Sequence, residues 1–112
     1  MTDPRRTRLD AVRAETAARI VLLDAELDAV LSDRAQDNAD DEHDPEGSTL
    51  SGESQRIEAL RRSLGEERSE VDAALARVDA GAYGICVACG GPIAPGRLAA
   101  RPMATLCIAC AA

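Results

Sequence analysis

Two short cysteine pairs constrain the fold of this 112-residue chain more than any other feature. Cys86 and Cys89 form one Cys-x2-Cys pair, and Cys107 and Cys110 form a second pair, with 17 residues between the two pairs. Four thiolates arranged in this way can surround a zinc ion as a tetrahedron, with each pair closing a tight turn around one side of the metal. Because protein ligands fill all four positions, no position remains for a reacting water. The sequence therefore predicts one structural Zn²⁺.

Two disulfides, a redox-active Cys-x2-Cys pair and an iron–sulfur cluster are the alternative uses of these cysteines. Residues 1–12 are charged throughout and contain no apolar segment of the kind that secretory signals carry. This favours the reducing cytoplasm, where disulfides are rare, and gives no reason to expect a membrane association. The symmetric pairing of the cysteines favours zinc over an iron–sulfur cluster.

The composition predicts long helices in place of a wide globular core. Tyr83 is the one aromatic residue in the chain, and there is no Phe or Trp. Since aromatic and branched aliphatic side chains supply most of the buried area of a globular core, we expect a narrow seam of small side chains, with the metal substituting for the missing core.

Apolar residues three and four positions apart predict two long amphipathic helices. The first begins near Arg8, after a frayed segment of residues 1–8, and runs for some 25 to 30 residues. The second ends at Ala80, before Gly81, and is expected to be weakest around Glu67 and Arg68. Their predicted seam positions are Leu9, Val12, Thr16, Ile20, Leu23, Leu27 and Val30 in the first helix, and Leu50, Ile57, Leu60, Leu64, Val71, Leu75 and Val78 in the second.

The predicted fold is therefore mainly α. Residues 1–80 form a long antiparallel two-helix coiled-coil hairpin, and residues 81–112 form a small four-cysteine zinc-finger module. We expect a monomer, and the alternative is a pair of helices that dimerises with another copy of the chain.

The predicted tip of the hairpin, at about residues 37–48, is strongly acidic. Ten acidic residues and one arginine lie between Asp24 and Glu46, which gives this segment a net charge of −9, against −7 for the whole chain. A solvated loop is the ordinary interpretation of such a run, whereas a turn on a long arm could bring the carboxylates to a metal ion or a basic channel in a partner. His43, the one histidine, is interpreted as an exposed residue near these acids. No nucleophile or second polar cluster accompanies them, so we predict no enzymatic site in this chain.

The C-terminal sequence resembles a known zinc finger in detail. The run Tyr83-Gly84-x-Cys86-x2-Cys89-Gly90-x2-Ile93-x3-Arg97-Leu98-x-Ala100-Arg101-Pro102-x-Ala104-x2-Cys107-x2-Cys110 is similar to the zinc finger of the DksA/TraR family of bacterial transcription factors. The preceding hairpin agrees with the coiled coil of that family in order and approximate length. The resemblance implies binding to RNA polymerase, with the hairpin inserted into the secondary channel and no reading of DNA.

The resemblance also assigns residues at the tip. The family motif Asp-x-x-Asp-x-Ala corresponds here to Asp41, Asp44 and Glu46, so both aspartates are kept and a carboxylate replaces the alanine. Asp44 corresponds to the most important tip aspartate of the family. The resemblance therefore implies that Asp44 carries the regulatory effect and that Glu46 alters it.

The basic residues of the finger are candidate contacts for polymerase or for guanosine tetraphosphate, an alarmone that binds some family members. Arg101 matches one basic residue of the alarmone site, and Arg97 lies four positions before it. Glu70 and Ala111 stand where the family has basic residues. The resemblance therefore implies a weak or absent alarmone response.

Three rival functions remain for comparison. A DNA-binding finger needs a basic face, and this module offers only Arg97 and Arg101 in an acidic chain. A Gre-like factor would enter the same channel and stimulate transcript cleavage by the metals of polymerase, although Gre proteins lack the cysteine module. A zinc-stapled helical adaptor would bind some other protein through the hairpin.

Overall fold

Two long helices dominate the fold. The computed structural model describes residues 3–40 and 47–111. Its helices are α1 (Pro4–Asp40), α2 (Gly47–Asp79), α3 (Pro95–Ala100) and α4 (Ile108–Ala111). Within the described ranges, the β structure is one isolated antiparallel bridge, between Ile85 and Pro92. The predicted fold class is confirmed: the chain is mainly helical, α1 and α2 pack as a hairpin, and the cysteine module follows them. Among these helices, none has the length and apolar character that crossing a bilayer requires.

Helix α1 begins earlier than the sequence pattern indicated. Asp3 lies just before it, and its carboxylate accepts a hydrogen bond of 2.9 Å from the backbone N–H of Arg5. Pro4 occupies the first helical position, where its missing N–H costs nothing and its fixed φ suits the helix. The prediction that residues 1–8 fray is therefore wrong from Pro4 onward. The Asp-Pro pair is a helix start that apolar periodicity cannot reveal.

The chain divides into two compact units, and α1 and α2 contribute to both. The first unit comprises Met1–Ala14 and Arg68–Ala112, and the second comprises Glu15–Glu67. On α2 the division falls between Glu67 and Arg68, where the predicted seam skips a turn, although the helix itself is continuous there. The division of the chain into a hairpin over residues 1–80 and a finger over residues 81–112 stays a prediction.

The first unit has a small but well-buried core. Its buried members come from α1, from α2 and from the segment after α2, and they are Leu9, Val71, Ala74, Leu75 and Tyr83. The partly buried side chains of Val12, Val78, Leu98 and Met103 pack against this cluster. The one aromatic residue thus joins the helices to the finger within a single core.

The second unit has a thinner and more polar interior. Among the residues of this unit whose burial is described, the buried ones are Val30 and Ile57, together with Thr16 and Ser54, which carry hydroxyl groups. Half of these residues carry a polar atom that needs a hydrogen-bond partner when it is buried. The seam here therefore buries less apolar surface than the core of the first unit.

Ion pairs between the helices run in an antiparallel order within each unit. The first unit pairs Arg6 with Asp79, and Arg13 with Asp72 at 2.7 Å. The second unit pairs Asp24 with Arg61, and Glu26 with Arg56 at 3.3 Å. In both units the α2 partner moves back along the chain as the α1 residue moves forward. Such half-exposed pairs each contribute roughly 0–1 kcal/mol to the free energy of unfolding. They therefore help to set the register of α1 against α2 but add little stability.

Most predicted seam positions are buried or half-buried, and Leu60 is the exception. The side chain of Leu60 is 45% exposed, while Ser54 and Ile57 are buried. Arg61, the next residue, forms an ion pair with Asp24 of α1, and its side chain is also about half exposed. The spacing of Leu60 fits the seam, so a search for apolar residues at helical spacing selects it although its side chain is not buried. The side chain of Leu50 lies outside the described residues.

Candidate metal centre

The first cysteine pair lies in a tight turn built around glycine. The backbone N–H of Gly90 donates to the carbonyl of Cys86 at 2.9 Å, and the N–H of Cys86 donates to the carbonyl of Gly91 at 2.8 Å. Gly90 has a φ of 74°, a left-handed conformation that costs glycine little and other residues much more. This turn presents Cys86 and Cys89 on the same side of the backbone.

The second cysteine pair lies at the start of the short helix α4. The carbonyl of Cys107 accepts hydrogen bonds from the N–H groups of Cys110 at 3.1 Å and Ala111 at 2.9 Å. The two turns are joined directly, because the N–H of Val87 donates to the carbonyl of Thr105 at 2.9 Å. Backbone hydrogen bonds therefore hold the two Cys-x2-Cys pairs face to face.

All four thiol groups converge on one point. The Sγ atoms of Cys86, Cys89, Cys107 and Cys110 lie within 4.8 Å of one another, and the Cys89 and Cys107 sulfurs are 3.8 Å apart. With Zn–S bonds of about 2.3 Å, the edge of a tetrahedral site is about 3.8 Å. The four cysteines are free thiols, so a disulfide arrangement does not apply. The donor set and its spacing fit one zinc ion.

Electrostatics at the cluster also favour a cation. The backbone N–H of Cys107 is the main cause that lowers the pKa of the Cys86 thiol to about 6. The neighbouring thiol of Cys107 is the main cause that raises the pKa of Cys110 to about 12. Close thiols cannot all ionise together, because each new thiolate repels the others. A bound divalent cation removes that repulsion and holds all four cysteines as thiolates.

Contacts outside the ligand set anchor the cysteine turns. The hydroxyl of Tyr83 donates to the carbonyl of Pro102 at 2.7 Å, and Nε of Arg97 donates to the carbonyl of Leu106 at 2.8 Å. Leu106 directly precedes Cys107, so Arg97 connects α3 to the second turn. This polar contact gives Arg97 a structural role in the finger, and its part in binding polymerase or an alarmone stays a prediction.

Residues at the start of α1 contact Tyr83 and the end of α3. The sequence interpretation missed these contacts. The guanidinium carbon of Arg5 lies 5.2 Å from the centre of the Tyr83 ring, within the range of a cation–π contact. The side chain of Arg8 donates to the carbonyl of Ala99 at the end of α3. A search for metal ligands and seam residues passes over these arginines. The Asp3-Pro4 helix start is the sequence feature that could have revealed them.

The other predicted site residues do not belong to the cysteine cluster. Arg101 is exposed on the finger, and Glu70 is exposed on α2. Asp41, Asp44 and Glu46 lie outside the described residues, as does His43, so their predicted roles stay predictions.

Comparison with known proteins agrees with this geometry. Residues 81–112, which contain all four cysteines, match the family described as the prokaryotic dksA/traR C4-type zinc finger. The solved structure of transcription factor DksA2 from Pseudomonas aeruginosa is similar to 96% of this chain and the match spans 77% of that chain, with a TM-score of 0.82 and 29% sequence identity. The finger of this chain is therefore similar to that family, and most of the chain is similar in fold to DksA2. No curated protein matches the chain in sequence.

The match to a C4-type zinc finger bears directly on the metal. The matched finger is of the C4 type, and the four free cysteines of this chain supply that ligand set. The predicted cofactor, one zinc ion, is confirmed in that the clustered cysteines are able to bind it. The assignment of Cys86, Cys89, Cys107 and Cys110 as its four ligands fits their convergence on one point. The match to a zinc finger favours zinc over the iron–sulfur cluster that the sequence left as an alternative.

Proposed function

We propose that this chain is a bacterial transcription regulator that binds RNA polymerase and modulates initiation. The observation that carries the proposal is the likeness to transcription factor DksA2 over 96% of the chain at a TM-score of 0.82. That coverage includes both long helices as well as the finger, so it extends far beyond a shared metal module. The regulator acts in the cytoplasm as a monomer, and no catalytic group of its own takes part.

In this proposal the connection between α1 and α2 enters the secondary channel of polymerase. Helix α1 ends at Asp40 and α2 begins at Gly47, so Asp41, Asp44 and Glu46 all belong to the segment that connects them. Carboxylates at this point can interact with metal ions or basic side chains at the end of the channel. Asp44 is the residue to which we assign the regulatory effect, and Glu46 supplies a third charge where the family motif has alanine.

The charge of the molecule supports a protein partner over DNA. The chain has a net charge of −7, and a DNA-binding surface needs clustered cations to neutralise phosphates. In the finger, Arg97 is half-buried and donates to the carbonyl of Leu106, which leaves Arg101 as the exposed cation there. We therefore propose no direct reading of DNA sequence.

Guanosine tetraphosphate is a weak ligand at best in this proposal. Its phosphates require several cations, and Arg101 is accompanied by the acidic Glu70 and the uncharged Ala111 at the positions that the family resemblance identifies. We propose that Arg101 contacts polymerase directly and that the alarmone changes the regulatory effect little.

Binding and regulation can be separated by one experiment. The zinc-loaded chain is titrated onto purified core RNA polymerase carrying a fluorescent label, and the lifetimes of promoter complexes are measured in parallel. Asp44→Asn should bind within about threefold of the native chain and lose the effect on lifetime. Glu53→Gln, an exposed acid on α2, is the matched control and should leave both properties unchanged. Absence of binding by the native chain would contradict the proposal.

A further inference from the structure

The outer face of α1 carries an exposed apolar patch within the second unit. Val21 is 66% exposed and Leu22 is 70% exposed, although both belong to the same helix as the buried seam. The exposed alanines Ala18, Ala25 and Ala29 lie at helical spacing around them. We call these five residues the outer patch. Adjacent large apolar side chains on a solvent-facing helix surface are a feature of binding sites.

The outer patch lies on the side of α1 opposite to the hairpin seam. Each helical residue turns the side chain by about 100°, so Ala18, Leu22 and Ala25 point roughly opposite to Ile20, Leu23 and Leu27, which face α2. Alpha helices can approach closely where alanines alternate with larger residues. The second face of α1 is therefore shaped to pack against another helix, and α2 already occupies the first face.

The charges beside the outer patch indicate which helix fits. Arg19 lies three residues before Leu22 and Glu26 lies four residues after it, on the same flank of the helix. In an antiparallel pair related by a two-fold axis, the same flanks of the two helices lie side by side. A second copy of α1 centred on Leu22 therefore brings each Arg19 beside a Glu26 of the other copy.

We propose that the outer patch is a self-association surface, on which two copies of this chain pair through α1 in an antiparallel arrangement. Val21 and Leu22 form the apolar centre, and the two Arg19–Glu26 pairs fix the direction. Within each chain, Arg19 also contacts Glu15 at 2.8 Å and Glu26 also contacts Arg56 at 3.3 Å. All four side chains are about half exposed or more, so the intrachain partners leave room for a second contact.

The size of the patch predicts a weak and reversible dimer. Stable interfaces bury about 1,200–2,000 Å² in total, whereas one helix face against its copy buries less. The regulator is therefore a monomer at the low concentrations used for polymerase binding and pairs only as its concentration rises. The proposal uses no residue of the finger or of the connection between α1 and α2, so it does not depend on the function proposed above.

Sedimentation velocity over a wide concentration range tests the proposal. The native chain should show concentration-dependent dimer formation, and Leu22→Glu should raise the dissociation constant at least about tenfold by placing a charge at the apolar centre. Val87→Ser is the control, because Val87 is 68% exposed on the finger and should leave the dissociation constant unchanged. Far-UV circular dichroism checks that each variant keeps its helices.

A charge exchange tests the antiparallel pairing itself. Arg19→Glu and Glu26→Arg should each weaken self-association by roughly threefold to tenfold, because each places like charges side by side. The double variant should return to within about threefold of the native chain. A chain that stays monomeric at high concentration, or a double variant weaker than both single variants, would overturn the proposal. A Leu22→Glu variant that loses polymerase binding while the native chain shows no dimer would also overturn it, since the patch would then belong to polymerase.

Discussion

The two compact units differ in what holds them together. In the first unit, Leu9, Val71, Leu75 and Tyr83 form one apolar cluster next to a site able to bind zinc. Among the described residues of the second unit, half of the buried ones carry hydroxyl groups, while half-exposed ion pairs join the helices in both units. The same two helices are therefore held together by more buried apolar surface in the first unit than in the second. The difference follows from the side chains that the seam happens to carry.

Loss of the metal should have the largest effect, and it should act on the first unit. Structural zinc sites contribute about 10–16 kcal/mol of apparent binding free energy, which the finger cannot replace with its few buried side chains. Cys86→Ser should abolish stable zinc binding and unfold the finger, while most of the helical circular dichroism persists. Zinc release measured with a chromogenic chelator checks this result. Gly96→Ser, at an exposed position with open space around the Cα, is the control and should keep the metal.

Core truncation should cost more in the first unit than in the second. Leu9→Ala removes a fully buried side chain from the apolar cluster and should lower the free energy of unfolding by about 2–5 kcal/mol. For Ile57→Ala, in the second unit, the loss in the free energy of unfolding should lie at the lower end of that range, because the surrounding side chains can relax into the space. Leu60→Ala is the exposed control and should cost less than about 0.5 kcal/mol. Urea denaturation of the zinc-loaded protein measures all three, and equal losses for Leu9→Ala and Leu60→Ala would contradict the assignment of the core.

Removal of one hydroxyl should produce a smaller and local effect. Tyr83→Phe keeps the ring in the core and loses the hydrogen bond to the carbonyl of Pro102, so about 1 kcal/mol of stability should disappear. The rate of zinc transfer to a chelator should rise as well, because Pro102 belongs to the segment that leads to the second cysteine turn. An unchanged rate and stability would show that the hydrogen bond is not formed in solution.

The ion pairs should have the smallest effect. Arg13 and Asp72 are each about half exposed, so their interaction should contribute less than about 1 kcal/mol and should weaken with added salt. A double-mutant cycle with Arg13→Ala and Asp72→Ala isolates this energy. A coupling of several kcal/mol would mean that the pair is shielded from water and that the first unit is packed more tightly than the structure indicates.

The sequence was sufficient for the parts of the fold that follow from spacing. Two Cys-x2-Cys pairs predicted the four metal ligands, because metal coordination needs specific side chains at specific intervals. Helical periodicity identified Leu9, Thr16 and Val30 as seam positions for the same reason. Periodicity failed at Leu60, whose side chain is 45% exposed, and it missed Ser54, a buried polar residue that a search for apolar residues does not select.

Contacts between distant parts of the chain could not be predicted from the sequence. Arg5 and Arg8 lie in a segment interpreted as frayed, yet they contact Tyr83 and the end of α3. Nothing in the local sequence reports those partners, which are separated from the arginines by most of the chain. The hydrogen bond from Arg97 to the carbonyl of Leu106 was also missed, because an exposed-looking arginine in a finger is first interpreted as a contact for polymerase or an anionic ligand.

Photo-crosslinking from the connection between the long helices tests the central claim most directly. A photoreactive phenylalanine analogue replaces Glu42, next to Asp41, and the zinc-loaded protein is irradiated with core RNA polymerase. A single major crosslink to residues that line the secondary channel is expected, and it should disappear when unlabelled native protein competes. A crosslink confined to the outer surface of polymerase, or none with a protein that retains its zinc, would contradict the proposed function.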